Sequence, residues 1–204
     1  MKLKNFLIIL PLLFSGLTLA EYRQGVDYRI VSNPLPVKKD GIVEVVEVFW
    51  YECGACYNFN PVIRDWSSKQ DNTVKFSKMP VTWQESARNQ AALFYTIEAL
   101  GLGSQVHSSV FLQIHRERKM LRSPKQIADF LVKFGIDEKQ TNQYLNSFSI
   151  KQKVERANKT IRQLQVQSTP TVIVDGRYII SPKRSFEEFF KVVEYVIEIQ
   201  KPNS

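Results

Sequence analysis

The chain has 204 residues, 44% of them hydrophobic and 12% aromatic, enough apolar material for one domain carrying an insertion or for two small ones. The formal charge of +8 falls to +6 without Lys2 and Lys4. The surplus is spread along the sequence, with no run longer than Arg116-Glu117-Arg118-Lys119, so a solvated face is indicated rather than a nucleic-acid interface.

The N-terminus opens on Met1, Lys2 and Lys4, continues with a nearly all-apolar stretch from Phe6 to Phe14, and ends in small residues from Ser15 to Ala20. Thr18 and Ala20 suit the −3 and −1 positions of a signal-peptide cleavage site, which predicts export and removal of residues 1–20. A membrane anchor is the competing reading. The apolar run is short of the ~20 residues a spanning helix needs, and Pro11 interrupts it. No cysteine follows that run, so lipid attachment is not suggested.

Tyr28 to Ser32 reads as a short edge strand, stopped by Asn33-Pro34-Leu35-Pro36. Ile42 to Phe49 is a near-continuous β-branched run, the pattern of a strand covered on both faces. Alternation puts Glu47 on the face of Val43, Val45 and Phe49, which argues that it is buried; an exposed strand-end charge is the alternative, and Glu44 fits that description. A buried carboxylate must pair or take up a proton.

Directly after this strand come Cys53-Gly54-Ala55-Cys56, which hold both cysteines of the chain. A disulfide closing so small a loop removes little unfolded-chain entropy, so it is a poor structural staple. Two sulfurs alone cannot complete a tetrahedral zinc site, and Tyr57 stands where a haem attachment motif would need histidine. A dithiol that opens and closes is favoured over a structural bridge or half a metal site. In an oxidising compartment such a dithiol acts on the disulfides of other exported proteins, whereas in the cytosol it would more often be a reductant.

From Gly54, helical spacing of Ala55, Phe59, Val62, Ile63 and Trp66 predicts a helix with a kink at Pro61. Thr73 to Met79 is a second core strand, and this β-α-β order implies a right-handed crossover between parallel strands. A helical third follows: Ala87 to Leu100, a segment capped by Ser104, another starting at Ser123-Pro124 and ending at Gly135, one opened by Asp137 with Gln140, and a longer helix through Ile150 and Leu164. His107 and His115, in this block, are too widely spaced for a finger-type zinc pair and read as surface or packing residues. Thr171 to Val174 and Tyr178 to Ile180 form a hairpin across Asp175-Gly176, and a last helix begins at Ser185 with Glu188 as its capping-box partner. The fold class is therefore α/β, a small sheet with helices inserted.

The exported N-terminus, EVVEVFWYECGACYNFNP, the strand VKFSK, the segment QSTPTVIVDGRY and the intervening helices together resemble DsbA-type thiol–disulfide oxidoreductases. The resemblance covers essentially the whole mature chain. It implies a thioredoxin fold with an inserted all-helical domain: residues 21–82 and 158–204 as the discontinuous thioredoxin-like part, and 83–157 as the insertion. It also implies a redox-active Cys53–Cys56 disulfide, with Cys53 the exposed nucleophile and Cys56 the buried resolving partner. Pro170 matches the family's cis-proline beside that disulfide, preceded by Thr169; Glu47 matches its buried acid and Lys78 the neighbouring lysine, a candidate proton-handling pair. No cofactor and no metal are implied. The implied setting is the periplasm, with a monomer acting on unfolded or reduced exported polypeptides and reoxidised by a quinone-linked membrane partner of the DsbB type.

Cys53 at a helix start should have a depressed pKa, because backbone N–H groups there favour the thiolate. Family oxidants commonly carry Pro-His between the cysteines. Gly54-Ala55 offers no side-chain donor or charge, and the Glu52 carboxylate would oppose the thiolate if close, so a weaker oxidant is expected. Threonine before the proline also occurs in reducing relatives. A reductase or isomerase of the same fold stays open as an alternative, although 184 residues leave no room for the dimerisation domain that dedicated isomerases usually add. So does a peptide-binding chaperone in which the cysteines matter little.

Overall fold

The computed structural model describes residues 22–38 and 40–201, so the expected signal peptide lies outside the described residues. At its centre is a five-stranded sheet of order β1-β5-β4-β2-β3. The strands are β1 (Arg29–Ile30), β2 (Val43–Phe49), β3 (Val74–Pro80), β4 (Thr171–Val174) and β5 (Tyr178–Ile180). Only β2 and β3 are parallel; they are joined by α1 (Gly54–Ser68), which gives the β-α-β unit expected from the sequence. The other pairings are antiparallel.

Between β3 and β4 lie α2 (Glu85–Ala99), α3 (Gly103–His115), α4 (Pro124–Leu131, continued as a 3-10 turn to Phe134), α5 (Glu138–Asn146) and α6 (Phe148–Gln163); α7 (Phe186–Gln200) closes the chain. This is the thioredoxin-fold arrangement with helices inserted between the β-α-β unit and the terminal hairpin.

Three apolar cores meet at β2. Val43 and Val45 pack with Phe59 and Ile63 of α1 and with Phe189, Val193 and Val196 of α7. Phe59 is fully buried and stacks on Phe190 at 5.6 Å, and burial of such a ring contributes about 2–3 kcal/mol. Phe49 and Tyr51, at the far end of the strand, enter the helical block among Leu93, Phe94, Val110 and Phe111. On the opposite face Val48 and Ile173 pack with Ala157 and Ile161 of α6 and with Leu164 just beyond its end. The N-terminal half of α6 instead presents Ile150 and Val154 to Ala91 of α2, so one helix serves both the insertion and the sheet.

Local chemistry accounts for most boundaries. Ser123 accepts from the Gln126 backbone N–H and the Gln126 side chain returns the bond, with Pro124 in the first turn. Asp137 and Ser185 cap α5 and α7 through their side chains. The Glu188 side chain, however, pairs with Arg184 rather than completing a capping box. Ser104 is not a cap. The chain turns through Gly101 and Gly103, both at positive φ, so α3 starts at Gly103 with no side-chain cap. Between β4 and β5 Asp175 and Gly176 both have positive φ and form a tight turn closed by the Arg177 N–H donating to Val174 O at 3.0 Å. Gly176 has a second reason to be glycine: a Cβ there would sit 2.5 Å from the Leu35 Cβ.

Candidate active site

β2 delivers the dithiol. Its last turn closes with the Cys53 N–H donating to Trp50 O at 3.1 Å, and Cys53 then takes extended backbone angles as the N-cap of α1. Here the capping group is a sulfur: Cys53 Sγ accepts from the Cys56 backbone N–H at 3.4 Å. One helical turn on, Cys56 is fully buried, whereas Cys53 is partly exposed, and both are free thiols.

The antiparallel register sets Thr171 opposite Val48, which brings the loop before β4 to the same end of β2. That loop contains the cis Thr169–Pro170 peptide bond. Cys53 Sγ donates to Thr169 O at 3.4 Å, so the partly exposed sulfur and the proline loop are in contact. The loop is itself fixed by the Thr171 hydroxyl, 2.9 Å from both Ser168 O and the Ser181 hydroxyl.

Electrostatics separates the two sulfurs. The Cys53 thiol is drawn from 9.0 down to about 5, chiefly by a hydrogen bond from the Cys56 side chain. Burial opposes that shift, while the Thr169 side chain and the backbone N–H groups of Cys56 and Ala55 add to it. The helix terminus is thus a lesser contributor than its partner sulfur. Burial, together with the adjacent Cys53, pushes Cys56 well above the ordinary thiol range. The outer sulfur is set up as a thiolate and leaving group, the inner one as a thiol.

Glu47 and Lys78 face each other across the parallel ladder and are joined by a hydrogen-bonded ion pair. Glu47 is 1% exposed, so the strand-end alternative does not hold. Burial raises its pKa, and Lys78 offsets only part of that rise. The Lys78 ammonium lies 5.4 Å from the Phe76 ring centroid, and Lys78 is one of the residues lining a cavity of about 610 Å³. Neither cysteine lines that cavity; the two sulfurs lie at the end of β2, not in it.

Three features around the dithiol are not visible as local sequence patterns. Glu52 does not stand free beside Cys53: Arg122 grips both its oxygens, at 2.8 and 2.5 Å, and Gln90 donates to it at 2.8 Å. These contacts hold the Glu52 carboxyl below its usual range, the Arg122 hydrogen bond being the main cause. His107 is buried, with Nδ1 2.7 Å from the Tyr51 hydroxyl, and burial pushes its pKa well down. His115 places Nε2 2.8 Å from Tyr51 O and stacks on Tyr57 at 4.9 Å, so both histidines brace the segment before Cys53. Among the described residues no three His, Cys, Asp or Glu side chains gather as a metal site.

Comparison with known proteins agrees with this geometry. The family described as a DSBA-like thioredoxin domain matches residues 44–193. The thiol:disulfide interchange protein DsbA of Pseudomonas aeruginosa is 38% identical over 183 residues, covering 89% of this chain and 87% of that protein. Its namesake in Burkholderia cepacia is 36% identical over 159 residues, with 78% and 75% covered. The crystal structure of Pseudomonas aeruginosa DsbA superposes with a TM-score of 0.83 over 88% of this chain and 94% of that one, at 38% identity. DsbA from Xylella fastidiosa, at 23% identity and a TM-score of 0.82, shares the fold. Matched along most of its length in sequence and in backbone course, the chain belongs to the DSBA-like thioredoxin family and is a thiol–disulfide oxidoreductase.

Proposed function

We propose that the chain is a periplasmic oxidase that introduces disulfides into newly exported proteins through Cys53 and Cys56. The observation that carries this reading is the asymmetry of the pair: a partly exposed, low-pKa Cys53 touching the Thr169-Pro170 loop, with Cys56 enclosed behind it. In the oxidised enzyme a substrate thiolate attacks Cys53 Sγ, the Cys53–Cys56 bond breaks, and Cys56 leaves, taking up a proton. A second substrate thiolate then attacks the substrate sulfur of the mixed disulfide and releases Cys53 as thiolate. Two electrons pass to the enzyme and one disulfide forms in the substrate.

Glu47 and Lys78 serve as the proton-handling pair, since burial raises the Glu47 pKa and Lys78 is hydrogen-bonded to its carboxylate. Thr169 and Pro170 receive substrate: proline presents no N–H, leaving neighbouring backbone free to pair with an extended chain of any sequence. The enzyme works as a monomer, without a bound cofactor. It is reoxidised by a quinone-linked membrane partner of the DsbB type, and is a weaker oxidant than relatives with Pro-His between the cysteines.

Catalysed oxidation of a reduced test protein, abolished by Cys53→Ser, is the expected result. Retention of the effect in Cys53→Ser would assign it to peptide binding instead. Alkylation trapping in cells separates the remaining alternatives: a mostly oxidised pair fits the oxidase, and a mostly reduced pair overturns it in favour of a reductase or isomerase.

A further inference from the structure

One of the contacts between the inserted helices and the dithiol segment is made through a carboxylate. Glu52 precedes Cys53 in the chain and its side chain is only 9% exposed, so its charge cannot be left to solvent. Glu52 and Cys53 are chain neighbours with Cα atoms about 3.8 Å apart, a separation well inside the Debye length of about 8 Å over which charges act on one another. Unopposed, it would repel the Cys53 thiolate.

Everything that opposes it comes from the insertion. The Arg122 fork binds both oxygens, and Gln90 donates to one of them. Arg122 is held in place at its own backbone: its N–H donates to Gln126 Oε1 at 2.9 Å and its carbonyl accepts from Asn89 Nδ2 at 2.9 Å. Gln90 is buried and accepts from Trp50 Nε1 at 3.0 Å, which ties the same cluster to the end of β2. Besides Arg122, His115 is the charged or titratable group acting on Glu52. The fork is bidentate and anchored, the geometry in which an Arg–carboxylate pair is a fixed part of a site rather than a surface coincidence.

We propose that Arg122 is a positioning residue for disulfide exchange: it neutralises Glu52 and thereby keeps the Cys53 thiolate, and the oxidising strength that follows from it, from being eroded by the adjacent charge. This rests on the reading of Cys53 as the attacking sulfur. It gives the helical insertion a direct influence on the redox pair, through a contact between residues 70 apart in sequence.

The test is a charge cycle on the full chain, read as the Cys53 pKa and as the redox equilibrium with glutathione. Arg122→Gln leaves a shielded carboxylate beside the sulfur and should raise the Cys53 pKa by about half a unit, roughly threefold in the thiolate equilibrium, and make the protein more reducing. Glu52→Gln should move both quantities in the opposite sense, by less, because the freed Arg122 is half exposed and can turn into solvent. The double variant should return close to the parent, and Arg122→Lys, which keeps the charge but loses the fork, should fall between parent and Arg122→Gln.

Shifts of the same sign in both single variants, or none in either, overturn the proposal. Should Arg122→Gln not fold, Glu52→Gln and Arg122→Lys decide it alone, by the presence or absence of their opposed shifts. A Cys53→Ser control that still exchanges disulfides would instead overturn the assignment of the attacking sulfur, so the two failures are distinguishable.

Discussion

Lowering the pH through the range in which Cys53 titrates tests the chemistry most directly. The thiol is drawn from 9.0 to about 5, below its unfolded value. Stability from this source is therefore complete above about pH 9 and is lost as pH falls through about 5. At about pH 7 the part in force spans about two units, or ~2.7 kcal/mol at ~1.4 kcal/mol per unit. Cys53 is only half buried, and solvent screening reduces this to about half, ~1.3 kcal/mol. Because the disulfide form has no thiolate, that energy favours the reduced protein over the oxidised one. For a two-electron couple it corresponds to about 30 mV of added oxidising strength. Alkylation rate against pH should show a midpoint near 5, and urea unfolding should show the reduced protein's advantage over the oxidised one shrinking by ~1 kcal/mol between about pH 7 and pH 5. A midpoint near 9.0, or an advantage that does not change with pH, would refute the reasoning.

Two further perturbations follow from the same geometry. Burial raises the Glu47 pKa, so the folded state favours its neutral form; this contribution is present at low pH and lost as pH rises through the folded value. Glu47→Gln should accordingly stabilise the protein at neutral pH and not in acid, by denaturant titration, while slowing exchange and flattening its pH dependence. Unchanged exchange kinetics would make the pair structural only. Tyr51→Phe removes the partner of His107 Nδ1, and since Nε2 has none, the buried ring is left with no hydrogen bond. A loss of about 1–3 kcal/mol in urea unfolding is expected, and a loss near zero would mean that the ring had found another partner.

Features with a local cause could be read before the structure was known. The unbroken apolar run of β2, the Ser123-Pro124 start, the Asp175-Gly176 turn and the Ser185 cap each depend on neighbours a few residues away. Strand alternation also placed Glu47 inside, although its partner Lys78 came from family likeness, since nothing local links positions 47 and 78. What escaped is nonlocal. Ser104 looked like a cap only because the positive φ of Gly101 and Gly103 cannot be seen in a string of letters. The Glu52–Arg122 fork joins segments distant in sequence, and the burial of His107 depends on four rings, Phe49, Tyr51, Phe94 and Phe111, converging on it. The low pKa of Cys53 belongs with the local features, since its largest cause, Cys56, lies one helical turn on in the same helix.

β2 lends Val45 to one core, Phe49 to a second and Val48 to a third, and Cys56 lies in the second while its helix neighbours Phe59 and Ile63 belong to the first. A motion that bared Cys56 would have to loosen the second core and shift a helix whose Phe59 and Ile63 are held in the first, so it is costlier than the fraying of a loop. The inner sulfur is thereby kept from peroxide, alkylators and stray thiols for as long as the domain stays folded. On the proposed function, exchange with the outside is left to Cys53, the partly exposed member of the pair.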